Sequence, residues 1–155
     1  MAHQKGEEKR KVVLASGVFD LLHLGHVKYL EEAKKAGGQG AELIVIVARD
    51  GTVEKRKGVK PVMPENQRRA LVESLEVVDE AILGYEDFDI AKVIEKIKPD
   101  VIAIGHDQNG MEQAVRKYVK EKELAIKVVK IGKFGEDELD SSSKIKQKII
   151  EHYKR

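Results

Sequence analysis

The chain predicts an α/β domain of three layers, built on a mostly parallel five-stranded sheet, and three observations support that class. Apolar runs alternate with amphipathic stretches from Lys11 to Tyr153. The runs Val12–Ala15, Leu43–Ala48 and Val101–Ile104 are continuously apolar, as strands covered on both faces are, rather than alternating. The loops that follow these runs hold the glycines, histidines and basic residues, so the chemistry gathers at one end of the expected sheet.

Taken in order, Met1–Arg10 is polar and reads as a frayed tail, leaving a single domain over 11–155. Lys11–Ser16 is the first buried strand. From Gly25 to about Ala36, Val27, Leu30 and Ala33 recur at helical spacing with Tyr29 beside them, and Gly37-Gly38-Gln39-Gly40 stops the helix. Leu43–Ala48 is the second strand. Arg49–Met63 is polar and basic with Gly51 and Gly58, and reads as a long loop with at most a short helical turn. Pro64-Glu65 opens a helix that runs to about Leu75, with proline tolerated in the first turn and an acid at the positive end of the dipole. Val77–Leu83 is a strand, Ile90–Ile97 a helix, Val101–Ile104 a strand, Met111–Lys122 a helix, Ile126–Ile131 a strand and Ser142–Tyr153 a closing helix. Right-handed crossovers follow from that alternation. They place Gly17–His26, Arg49–Lys60 and Gly105–Asn109 on one rim, beyond the carboxyl ends of their strands.

Composition narrows the function. A chain of 155 residues fits one domain and buries about two-thirds of its unfolded surface without staples. It has no cysteine, which removes disulfides, thiolate metal sites and a cysteine nucleophile and fits a reducing interior. The net charge of +2 is the residue of 29 basic and 27 acidic groups, a mixed solvated surface rather than a nucleic-acid face. Aromatics at 5% are too few to form stacking platforms for single strands. No run approaches the ~20 apolar residues that span a bilayer, and the first residues are too polar for a signal peptide. The expectation is a cytoplasmic protein that engages neither membrane nor nucleic acid.

The segment Gly17-Val18-Phe19-Asp20-Leu21-Leu22-His23-Leu24-Gly25-His26 carries most of the functional information. It hands a buried strand to a helix N-terminus, where free N–H groups and the positive end of the dipole converge on any anion placed there. Glycine lets backbone approach a ligand, and imidazoles donate to phosphate oxygens. Two ordinary histidines at a helix start are the plainer reading. A histidine metal site is a third, but of His3, His106 and His152 only His106 falls on the same rim, and no metal ligands are assigned.

Gly17-Val18-Phe19-Asp20 with His23-Leu24-Gly25-His26 resembles the signature of the cytidylyltransferase-like nucleotidyltransferase superfamily. Val47-Ala48-Arg49-Asp50, Pro64-Glu65-Asn66-Gln67-Arg68-Arg69, Val78-Asp79-Glu80-Ala81-Ile82-Leu83-Gly84, Lys98–Gln108 and Ser141-Ser142-Ser143-Lys144-Ile145 follow in the family's order, from about Lys11 to Ile150. Within the superfamily the chain most resembles the archaeal FAD synthases, which are FMN adenylyltransferases, and next the bacterial glycerol-3-phosphate cytidylyltransferases. The resemblance implies a Rossmann-like nucleotidyltransferase fold. It also implies ATP and FMN as substrates, Mg²⁺ accompanying ATP, no permanently bound cofactor, and the possibility of a homodimer. A phosphate oxygen of the acceptor attacks the α-phosphorus in line and pyrophosphate leaves. The attacking phosphate is already ionised, so catalysis reduces to positioning anions and stabilising transferred charge.

Carried onto this sequence, the resemblance makes His23 and His26 transition-state contacts, keeps the path open at Gly25, and holds the nucleotide on Gly17 and the backbone at Val18 and Phe19. Asp107 would hydrogen-bond the nucleotide, and Ser141 and Ser142 would meet the β- and γ-phosphates. Each has a plainer alternative, a turn preference for Asp107 and helix capping for the serines. Lys55, Arg56 and Lys57 sit in the basic loop, where they could neutralise phosphate and close as a lid, or simply form a solvated run beside Glu54. Lys57 is the preferred catalytic cation, with Asp20, Lys55 and Arg68 assigned to the acceptor phosphate or the lid. Cytidylyltransferases usually carry an arginine just before the serines, whereas Glu136-Asp137-Glu138-Leu139-Asp140 is acidic here, which leaves Lys144 as a substitute cation. A nucleotide-binding module without turnover is the alternative of a different class.

Overall fold

The protein is described by a computed structural model over residues 10–87, 89–133 and 141–154. Its strands are β1 (Val12–Gly17), β2 (Glu42–Val47), β3 (Glu80–Leu83), β4 (Val101–Ile104) and β5 (Lys127–Lys130). They form one sheet in the order β3-β2-β1-β4-β5, and every neighbouring pair is parallel. The helices are α1 (Leu24–Ala36), α2 (Asp50–Lys57), α3 (Glu65–Glu73), α4 (Ile90–Ile97), α5 (Asn109–Glu121) and α6 (Ser142–Tyr153).

Alternation along the central strands divides the core in two. Val13, Ala15, Leu43, Val45, Val47, Val101 and Ala103 face Leu30 and Ala33 of α1 and Val72 of α3. Leu14, Ile46, Ile102 and Ile104 face Val93 and Ile94 of α4 and Val115 of α5. β1, β2 and β4 are thus packed on both sides, which is why their sequences are apolar throughout. Truncating a side chain such as Leu30, which is wholly buried, to alanine costs about 2–5 kcal/mol in such a core. Among the described residues no helix is long and apolar enough to cross a membrane.

The chain runs from β1 outward through β2 to β3, then returns across β1 to lay down β4 and β5. The strand order reverses between β1 and β4. In an open α/β sheet, ligands bind in the crevice at that reversal, beyond the carboxyl ends of the strands.

Some boundaries depart from the sequence reading. The expected long loop over Arg49–Met63 contains the eight-residue helix α2, ended by Gly58 in the left-handed conformation with its N–H on Glu54 O at 2.8 Å. Only Val53 of α2 is buried, so its apolar stripe is one residue wide and leaves almost no periodic signal. β3 begins at Glu80 rather than Val77, and α5 at Asn109 rather than Met111. Of the expected tail only Arg10, and of the acidic stretch Glu136–Asp140 nothing, falls within the described residues.

Candidate active site

The β1–α1 junction is a tight, strained passage. Phe19 and Leu21 both take positive φ, +55° and +52°, which for non-glycine residues costs of order 1–3 kcal/mol each and persists only where surroundings enforce it. The Phe19 ring is buried and lies over Gly17, where an added Cβ would come within 3.0 Å of the ring carbons. Gly17 is therefore small because the Phe19 ring occupies the space beside it. The ring also leans on His26, with centroids 5.3 Å apart.

His23 caps α1 and His26 lies in its first turn, with Gly25 between them. The imidazoles stack at 3.8 Å between centroids, 28° from parallel. The backbone N–H of His23 donates to His26 Nδ1 at 3.3 Å. Burial and the neighbouring His23 push the His26 pKa down to about 4, against the pull of Asp107 and Asp20. His26 is consequently neutral near pH 7. With Nδ1 accepting, the ring proton belongs on Nε2, which becomes a fixed donor for an anion.

Two buried charges enforce the strained loop. The Asp20 carboxylate is 4% exposed and accepts from the N–H groups of Val62 and Met63 at 2.8 and 3.0 Å. Lys146 of α6 stands 3.4 Å from it, and the Ser142 hydroxyl donates to the Asp20 carbonyl. Burial alone would raise the pKa of Asp20, but the two backbone donors and Lys146 outweigh it and hold the carboxyl below its usual range. Arg68 is fully buried. Its guanidinium donates to Met63 O, to Val18 O and Ala48 O, and to Asp50 Oδ1 at 2.6 Å. The backbone N–H groups of Asp50 and Glu65 each donate to the other's carboxylate, and Glu65 pairs with Arg49, which donates to Gly84 O.

Arg68 and Asp20, expected at the acceptor phosphate or the lid, are both buried and direct their side-chain bonds into the protein. A guanidinium spent on three carbonyls and a carboxylate cannot also reach outward, and a carboxylate repels phosphate. Together they clamp Met63, one through its N–H and the other through its C=O, and so tie the approach to α3 onto the β1–α1 loop.

Of the other expected residues, Asp107 is exposed on the β4–α5 turn and close enough to His26 for its charge to act there. Lys57 is exposed at the end of α2, while Lys55 pairs with Asp87 at 3.5 Å on the surface. Ser141 caps α6 by accepting from the Lys144 N–H, and Ser142 is the residue tied to Asp20. Lys146 of α6 also stands at the junction, beside Asp20. Tyr29 and Gln108 also reach the rim. Tyr29 read from sequence as packing, and Gln108 lay within the rim segment Gly105–Asn109 without a role of its own.

Comparison with known proteins fits this geometry. The cytidylyltransferase-like family model matches residues 14–148. The FAD synthase of Ferroglobus placidus is 51% identical over 140 residues, 90% of this chain and 88% of its own. The FAD synthase of Methanobrevibacter smithii is 49% identical over 139 residues, 90% of each chain. A lipopolysaccharide core biosynthesis protein from Thermoplasma volcanium, of known crystal structure, is 44% identical with a TM-score of 0.72, over 81% of this chain and 98% of that one. Pantoate-beta-alanine ligase from Francisella tularensis shares only the fold, at 14% identity and a TM-score of 0.64 over 90% of this chain and 66% of its own. The chain belongs to the cytidylyltransferase-like family and is a nucleotidyltransferase.

Proposed function

We propose that the protein is an FAD synthase, transferring AMP from ATP to FMN. The observation that carries the chemistry is His26, neutral, with Nδ1 engaged by the His23 N–H and Nε2 left to donate at the start of α1. A donor fixed in that way stabilises negative charge as it builds on the phosphates, without reorganising during the reaction. An FMN phosphate oxygen forms a bond to the α-phosphorus, the bond to the bridging oxygen breaks, and pyrophosphate departs with that electron pair. No proton has to leave the nucleophile and no group on the protein is modified.

The acceptor assignment rests on the likeness to FAD synthases, at 49–51% identity in the two relatives described above. It gains support from Leu24 and Val62, two large apolar side chains left exposed at the junction, with Val59 exposed three residues before Val62. Leu24 follows His23 directly, and the Val62 N–H is held by Asp20. Exposed apolar surface beside an anion site suits a flat tricyclic ring carrying a phosphate. Mg²⁺ would arrive as part of the nucleotide, held by its phosphates. With His26, the groups on this chain that would meet the triphosphate include Lys57, Lys146 and the α6 N-terminus, while Asp107 would hydrogen-bond the nucleoside part of the nucleotide.

Incubation with ATP, FMN and Mg²⁺, followed by chromatography of the flavins, tests the reading. FAD should form with one pyrophosphate released per FAD. Turnover of CTP with glycerol 3-phosphate, and none of ATP with FMN, would transfer the chain to the cytidylyltransferases. Nucleotide binding without pyrophosphate release would make it a binding module.

A further inference from the structure

β1 pairs with β2 over its whole length, up to Gly17 opposite Val47, and β4 pairs with β5 up to Ile104 opposite Lys130. Between β1 and β4 the register stops after Val13–Val101 and Leu14–Ile102. Continued in the same register, Ser16 would face Ile104. In a parallel ladder its N–H would then donate to Ala103 O, and its C=O would accept from the Gly105 N–H. Both of those bonds are interrupted by a side chain. The Tyr29 hydroxyl donates to Ala103 O at 2.7 Å, taking the acceptor that the Ser16 N–H would use in a continued ladder. The Gln108 carboxamide accepts from the Gly105 N–H at 2.8 Å and donates to Ser16 O at 3.0 Å. The bond between the Gly105 N–H and Ser16 O is thus replaced by two bonds with the carboxamide between them, and the Tyr29 hydroxyl occupies the acceptor of the other, so the ladder does not continue past Leu14–Ile102. Ala103 O, the Gly105 N–H and Ser16 O each keep a partner through these side chains, so the opening does not strand them. A Cβ on Gly105 would press on Gln108 Oε1 at 3.2 Å, so glycine there lets the carboxamide fold over the strand end.

We propose that Tyr29 and Gln108 are positioning residues that wedge the β1–β4 seam and thereby set the width of the crevice that receives the nucleoside of ATP. The wedge sits at the strand-order reversal, between Ser16 on one wall and the Gly105–Asp107 turn on the other. It touches β1 and the β4–α5 turn, whereas the apolar side chains assigned to the acceptor stand at the first residue of α1 and in the segment after α2. The proposal rests on the FAD synthase reading for the identity of its ligand. It does not need that reading for the geometry.

The test uses the full-length protein with Gln108→Ala, Gln108→Met, which keeps bulk but loses both bonds, and Tyr29→Phe, which loses only the hydroxyl. Calorimetry with Mg·ATP, alongside steady-state kinetics, should show the ATP Kd and KM rising about tenfold in each variant. The KM for FMN should stay within about twofold and kcat within about threefold, a split that separates positioning from general loss of structure. Gln108 lies on a surface turn, so its variants remain informative if Tyr29→Phe lowers the melting temperature. Unchanged ATP affinity in both Gln108 variants, or a parallel loss for ATP and FMN that follows the melting temperature, would overturn the proposal. A wild-type protein that binds no nucleoside triphosphate would instead remove the functional reading itself.

Discussion

At His26 the burial that keeps the ring neutral works against acid stability. Its neutral ring is held by burial and by His23, with a pKa pushed down to about 4. Below about pH 6.5 an unfolded histidine takes up a proton that the folded His26 still refuses. The unfolded chain then binds more protons, and stability falls with pH from about 6.5 to about 4. Urea unfolding at pH 7 and pH 5 should show a larger loss for the wild type than for His26→Gln. Triphosphate beside the ring favours imidazolium, so NMR titration of His26 should show its pKa rising when Mg·ATP binds. Removal of the donor in His26→Ala should lower kcat by about 10²–10³ fold, the range for one charge-stabilising donor, with a melting temperature only slightly changed. Gly17→Ala should act differently. Its methyl group meets the Phe19 ring at 3.0 Å, and the displaced ring should disturb His26 and lower stability and turnover together.

Between elements, the decisive contacts are the ties that Arg68 and Asp20 make. Arg68, from α3, reaches carbonyls at the ends of β1 and β2 and the first residue of α2, so one side chain holds three loops in register. Removing it leaves Asp50 and three carbonyls without their donor. Arg68→Met is therefore expected to cost about 3–5 kcal/mol in equilibrium denaturation. Arg68→Lys should recover only part of it, because an ammonium cannot reproduce the planar fork. A phosphate-binding role would give the opposite pattern, with normal stability and a raised KM. Such ties were hidden in the sequence. Arg68 stands next to Arg69, which makes an ordinary exposed pair with Glu73, and nothing in residue type or spacing tells the two arginines apart. The element α2 was hidden for a related reason, since it buries Val53 alone and is held largely by polar bonds from Arg49, Asp50 and Glu65.

For the whole molecule, the sheet was legible because burial on both faces writes itself into continuous apolar runs, and the alternation of elements then fixes parallel strands. The placing of the candidate site's loops was legible for the same reason: Gly17, Arg49 and Gly105 each close or follow such a run. Contacts between segments far apart in the chain were not. The Ser142 hydroxyl meets the Asp20 carbonyl across 122 positions, and Gln108 meets Ser16 across 92. These bonds depend on how layers pack, and they decide which polar residues brace the site and which face the ligand. The central claim is that the β1–α1 junction passes adenylate from ATP straight to a flavin phosphate. Single-turnover reaction of α-³²P-labelled ATP with FMN tests it most directly. Label should move into FAD in step with pyrophosphate release, never appear on the protein, and slow about 10²–10³ fold in His26→Ala. Label retained on the protein, or pyrophosphate released at the normal rate by His26→Ala, would contradict it.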